Sequence, residues 1–212
     1  MLACTKKSIL LLALWVSSQG YLLAQQFDAG AFFGLTTSQV DGDNITGYDM
    51  PGANLGVFTS RSILKQSEIM LELAWVQKGA RVPPKDSTNF GNFYKLKLNY
   101  LEIPLIYRYY WKDLSFELGL AVDILVSYKE EDIGGSFNNG VPFNTTSLTG
   151  IAGVRWDFSE KWAIVFRTNN SLTAIRDGRT RADKPQQVVP GRYVQRNVSL
   201  SFALVYLFKP ED

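Results

Sequence analysis

Ser115-Phe-Glu-Leu-Gly-Leu-Ala-Val-Asp-Ile-Leu-Val126 is the stretch that decides how this chain folds. Phe116, Leu118, Leu120, Val122, Ile124 and Val126 share one face of an extended strand, and Ser115, Glu117, Gly119, Ala121 and Asp123 share the other. Side chains alternate sides along a strand, so one face is wholly apolar and the other small, polar or charged. Val198, Leu200, Phe202, Leu204, Tyr206 and Phe208 repeat the pattern against Asn197, Ser199, Ser201 and Ala203. Leu101 to Tyr109 and Ile69 to Trp75 repeat it again, with Glu102, Pro104 and Arg108, and then Met70 and Glu72, on their polar faces. Leu148–Trp156 and Trp162–Phe166 fit less strongly. Phe27–Leu35 and Ala53–Val57 are rich in Gly and Ala and fix their register least.

These eight segments are joined by long and short connections in turn. Thr37–Met50, Gly79–Lys95, Lys129–Phe143 and Thr173–Arg192 are long; Arg61–Gln66, Tyr110–Asp113 and Ser159–Lys161 are short. Alternation of this length, an even strand count and long loops on one side predict an outer-membrane barrel. The expected fold is all-β: an eight-stranded antiparallel up-and-down transmembrane β-barrel with short periplasmic turns and long extracellular loops. A soluble barrel with its apolar face inward is the rival. Against it, the polar face holds full charges. In addition Phe27, Tyr107, Tyr109, Phe116, Trp156, Phe158, Trp162, Tyr206 and Phe208 gather at the short-turn end, where an interfacial girdle belongs. Pro104 cannot donate to a ladder, so a bulge or a missing hydrogen bond is expected beside it.

The N-terminus reads as an export signal: Lys6 and Lys7, then the apolar run Ser8–Val16, then Leu22-Leu-Ala24 as a cleavage site. The run is too short to span a bilayer, which takes about 20 apolar residues. Residues 1–24 are therefore expected to be a cleaved signal and 25–212 one barrel domain. Removing the signal takes the formal charge from +2 to zero and removes Cys4, the single cysteine. A neutral mature chain gives no reason to expect nucleic acid.

Glu72-Leu-Ala-Trp-Val-Gln-Lys-Gly79, Tyr100-Leu-Glu-Ile-Pro104 and Arg167-Thr-Asn-Asn-Ser-Leu172-Thr-Ala-Ile175 together resemble the PorT-like outer-membrane β-barrel family of Bacteroidetes. Ser171 stands where that family usually has Gly, and Lys209-Pro-Glu-Asp212 follows the terminal aromatic. The resemblance implies an eight-stranded barrel in the cell outer membrane. It also points to a link with protein secretion, for which the family is named.

An eight-stranded barrel is just wide enough inside for its own side chains. Glu72, Glu102, Arg108, Glu117, Asp123, Arg155 and Arg167 are thus expected to form a self-neutralising charge network that plugs the lumen, since buried charges are seldom left unpaired. The chain has no histidine, which removes imidazole as base or metal ligand. With no thiol in the mature chain and no phosphate loop or metal-ligand spacing, neither enzyme chemistry nor a cofactor is expected. An outer-membrane hydrolase ranks third among the functions. Asp41-Gly-Asp43-Asn44 begins like a calcium loop but lacks the rest of one.

The loops carry the remaining chemistry. The first is acidic (Asp41, Asp43, Asp49), as is the third (Glu130, Glu131, Asp132), while the fourth is basic. Arg176, Arg179, Arg181, Lys184 and Arg192 are either paired with the acidic loops over the barrel mouth or form a contact patch for lipopolysaccharide phosphates or a protein. The expected role is that of a monomeric, non-enzymatic barrel. Its partners would be outer-membrane lipid, lipopolysaccharide and envelope or secretion-complex proteins. The alternative is a barrel that binds a small ligand or lipopolysaccharide through its extracellular loops.

Overall fold

A computed structural model describes residues 27–43, 47–82, 93–138, 141–180 and 188–208; the expected signal, residues 1–24, lies outside them. The strands are β1 (Asp28–Asp41), β2 (Met50–Leu64), β3 (Ser67–Val82), β4 (Tyr94–Trp111), β5 (Leu114–Asp132), β6 (Gly135–Phe137), β7 (Thr146–Asp157), β8 (Trp162–Ser171), β9 (Arg176–Thr180) and β10 (Val188–Leu207). The eight longer ones form an antiparallel wall in the order β1-β2-β3-β4-β5-β7-β8-β10, and β10 pairs back onto β1. Closure gives each of these eight strands two hydrogen-bonding neighbours, which lipid demands because it offers backbone groups no partner.

The two faces fall as the alternation dictates. Leu118, Leu120, Phe202, Phe33 and Leu35 face outward, while Glu117, Asp123, Arg108 and Glu72 are buried inside. At the short-turn end the aromatic rings touch in series: Trp111–Phe116, Trp156–Phe158, Trp162–Tyr206 and Tyr206–Phe208 lie 4.8–6.4 Å apart. Beside Pro104 the β3–β4 register holds on either side, yet the ladder skips from Leu71↔Leu105 to Ala74↔Glu102. The proline therefore costs two bridges and no bulge.

The outer connections differ from expectation. β5 runs four residues into the predicted loop Lys129–Phe143, with β6 folded back on it. The predicted loop Thr173–Arg192 contains β9 and the start of β10, which pair with each other. β1, β3 and β4 likewise invade Thr37–Met50 and Gly79–Lys95. The physical reason is a reversal of polarity along single strands. On β4, Tyr109, Tyr107, Leu105, Ile103 and Leu101 point out over Arg108, Ile106, Pro104 and Glu102. From Tyr100 upward the outward residues are Asn99, Lys97 and Lys95, and the buried ones are Tyr100, Leu98, Leu96 and Tyr94.

About nine residues of β4 are thus built for lipid, close to the ~9–11 a tilted strand needs to cross. The next seven are built like a soluble barrel around a core of Val40, Ala80, Tyr94, Leu96, Leu98, Phe143 and Ile175. The change of solvent is marked on the outer surface by a polar ladder. Gln77 Nε2 donates to Asn99 Oδ1 at 3.0 Å, and Asn99 Nδ2 donates to Ser127 Oγ at 2.8 Å. At the same height the β4–β5 register slips by one residue, from Tyr100↔Leu125 to Asn99↔Ser127, leaving Val126 as the extra residue of a bulge. Below the bulge the odd-numbered residues of β5 face in; above it Tyr128, Glu130 and Asp132 stand opposite the inward Leu98, Leu96 and Tyr94, and Glu130 is buried.

Candidate functional site

Three polar layers cross the lumen. The lowest centres on Arg167, whose Nη1 and Nη2 each donate to Glu72 at 2.8 Å while Nε donates to Glu117 Oε2 at 2.6 Å. Arg108 Nε donates to Glu117 Oε1 at 2.8 Å, and its Nη1 is bonded to Glu68. Two guanidiniums so hold three carboxylates, with every contact charge-assisted and one of them bidentate. Nearby, Arg155 donates through Nε and Nη2 to Asp157 at 2.9 and 2.6 Å.

Arg167 reaches Glu117 across an intervening strand because nothing stands between them. Gly153 pairs with Glu117 on one side and Arg167 on the other, and a Cβ there would lie 2.7 Å from Arg167 Cγ. The free space among Phe32, Phe58, Met70 and these charges is about 10 Å³, at the lower limit for one water.

The middle layer is held by Lys78, paired with Glu102 and donating to Asp123 at 3.2 Å, with Thr149 Oγ1 donating to the same Asp123 oxygen at 2.7 Å. Lys78 also lies 5.6 Å from the centre of the Tyr100 ring, whose hydroxyl accepts from Asn197 at 3.2 Å. Above this the sheet turns a tight corner at β2. Thr36 Oγ1 of β1 donates to Gln77 O of β3 at 2.8 Å, and Ser38 Oγ accepts the Gly79 N–H at 2.9 Å. Gly52 makes room for the corner, since a Cβ there would sit 2.3 Å from Gln77 O.

The third layer caps the mouth. Arg176 Nη1 and Nη2 donate to the two oxygens of Glu130 at 3.0 Å each, Tyr94 OH donates to Glu130 at 2.9 Å, and the guanidinium lies 3.5 Å from the centre of the Phe143 ring. Glu130 and Arg176, read from sequence as charges of the third and fourth loops with pairing over the mouth as one alternative, are buried and joined to one another. Arg176 thus leaves the predicted contact patch, because its fork is already filled. Arg179 and Arg192 lie on β9 and β10, where only the backbone is described, and Arg181 and Lys184 lie outside the described residues.

Glu72, Arg108, Glu117 and Arg167 meet in one layer, Glu102 and Asp123 in another, and Arg155 stands beside Asp157. Sequence reasoning missed Glu68 and Lys78, and gave Glu130 to the third loop without its inward phase. The first two follow the even-numbered inward phase of Met70 and Glu72 and were within reach of it. The bulge at Val126 hides the third.

A closed eight-stranded wall, an aromatic girdle and a filled charged lumen define a small outer-membrane barrel. The model of the outer membrane protein beta-barrel domain matches residues 23–177, and the chain belongs to that family. The match ends before β10, the strand that closes the wall. Among solved structures, the chain is similar to the attachment invasion locus protein Ail of Yersinia pestis, solved with the heparin analogue sucrose octasulfate. The identity is 12%, the TM-score 0.50, and 86% of this chain and 99% of that one are covered. Neisserial surface protein A gives 11% identity and a TM-score of 0.50 over 85% of this chain and 96% of its own. No curated protein matches by sequence.

Proposed function

We propose that this outer-membrane barrel is a non-conducting, non-enzymatic scaffold that presents its outer hairpins to another envelope component. The observation that carries this reading is the stack of three buried, mutually bonded layers across the lumen, from Arg167 through Lys78 to Arg176. Among the described residues, such a stack closes the lumen at three heights with charges already paired. The PorT-like motifs point the partner toward a secretion or surface assembly. A second reading, ligand or lipopolysaccharide binding by the outer loops, is favoured by the basic run Arg179, Arg181, Lys184 and Arg192.

Two measurements on the intact protein test the first reading. Reconstituted in planar bilayers, the barrel should give no discrete conductance steps. Cross-linked in native outer membranes, it should retain a protein partner in stoichiometric amount. Reproducible conductance refutes the plugged lumen, and recovery of the barrel alone refutes the scaffold role.

A further inference from the structure

The reversal of polarity on β4 fixes where the outer leaflet ends against this wall, and what stands immediately above that line is basic. Over the Gln77–Asn99–Ser127 ladder, Lys97 of β4 lies directly opposite Lys129 of β5; one step higher, Arg81, Lys95 and Glu131 lie side by side across β3, β4 and β5. Four cations and one carboxylate share this outward face. Glu131 is engaged by Lys129 and lies 4.0 Å from Lys95. The hydrogen bond from Lys129, with the charges of Lys129, Lys95 and Lys97, holds its carboxyl below the usual carboxylate range. Among the described residues of this face, one acid answers four cations. Like charges directly opposite on a sheet repel, so Lys97 and Lys129 side by side call for an anion between them.

We propose that this face of β3–β4–β5 seats the phosphate groups of an outer-leaflet lipopolysaccharide, with Lys97 and Lys129 as the first contacts and Arg81 and Lys95 behind them. Height and charge select the occupant. Its acyl chains would lie along Trp75, Leu101 and Ile103 of the apolar band, and its phosphates would meet the first charged side chains above the polar ladder. The proposal rests on none of the basic residues Arg179 to Arg192 and does not depend on a protein partner.

The test uses the folded full barrel, incubated with lipopolysaccharide and passed through detergent exchange, with retained lipopolysaccharide measured per barrel. Wild type should retain it, and Lys97→Gln/Lys129→Gln should retain about thirty-fold less, at the affinity a basic residue contributes near an anionic leaflet. Lys97→Arg/Lys129→Arg should retain it like wild type, and Lys65→Gln/Lys112→Gln, at the short-turn end, should change nothing. Dephosphorylated lipopolysaccharide should be lost by every form, and excess inorganic phosphate or phosphatidylglycerol should not displace the native lipid. A shift in gel mobility between unheated and boiled samples shows that each variant is folded. Equal retention by the folded glutamine variant, equal retention of the dephosphorylated lipid, or displacement by either competitor overturns the proposal.

Discussion

Replacing Arg167 by methionine removes three charge-assisted bonds at once and leaves Glu72 without its guanidinium, while Glu117 keeps Arg108. Glu72 is buried, and breaking a buried ion pair by deleting one partner costs about 3–5 kcal/mol. The folding equilibrium should therefore fall about 150- to 5,000-fold. Urea unfolding of the barrel in lipid vesicles, followed by tryptophan fluorescence and the gel-mobility shift, reads this directly. Arg167→Met/Glu72→Leu is the decisive companion. Exchanging both partners for apolar side chains is often neutral, so the double variant should lie within about 1 kcal/mol of wild type. A single variant as stable as wild type, or a double variant no better than the single, would refute the view that Arg167 is there to neutralise Glu72.

Gly153→Val puts a side chain where Arg167 must pass. It should cost about 2–4 kcal/mol, at the scale of overpacking plus a broken buried bond, and should add little to Arg167→Met in a double-mutant cycle; full additivity would mean that Gly153 serves another purpose. Arg176→Ala leaves Glu130 with Tyr94 and should lower stability by about 1–3 kcal/mol while opening the mouth to protease. An unchanged digestion pattern would show the cap to be dispensable. Deleting Val126 removes only the extra residue of the bulge and should be tolerated. Deleting Leu98 from unbulged β4 should turn Leu96 and Tyr94 outward and make the outer hairpin cleavable. Equal protease resistance in the two deletions would contradict the phase switch.

The lipid-facing half of the barrel was legible because one rule governs it. Period two with one apolar face names the wall, and the charges on the other face name the lumen. Even the Gly- and Ala-rich β1 and β2 obey it, with Phe33, Leu35, Leu55 and Val57 outward. The outer half escaped because the same rule runs there with its sign reversed. Tyr94-Lys-Leu-Lys-Leu-Asn-Tyr100 alternates as cleanly as any strand, but its apolar residues share the numerical phase of Glu102 and Arg108. Taken as lipid-facing it fails, so Tyr94 and Lys95 read as loop and Leu96 to Asn99 are given no face. Glu130 escaped for a different reason, since one unpaired residue at Val126 exchanges odd for even. The pairing of Glu130 with Arg176 has no local signal, because only the closed sheet brings the two hairpins together.

Glu72 and Arg167 sit on strands that are far apart in the wall and meet only across its hollow. A sheet still lying open in the bilayer would turn three carboxylates and two guanidiniums toward hydrocarbon with no means of cancelling them. The polypeptide therefore has to curl before it enters, or as it enters, and the last join, β10 onto β1, is also the moment at which its charges first become tolerable to the membrane.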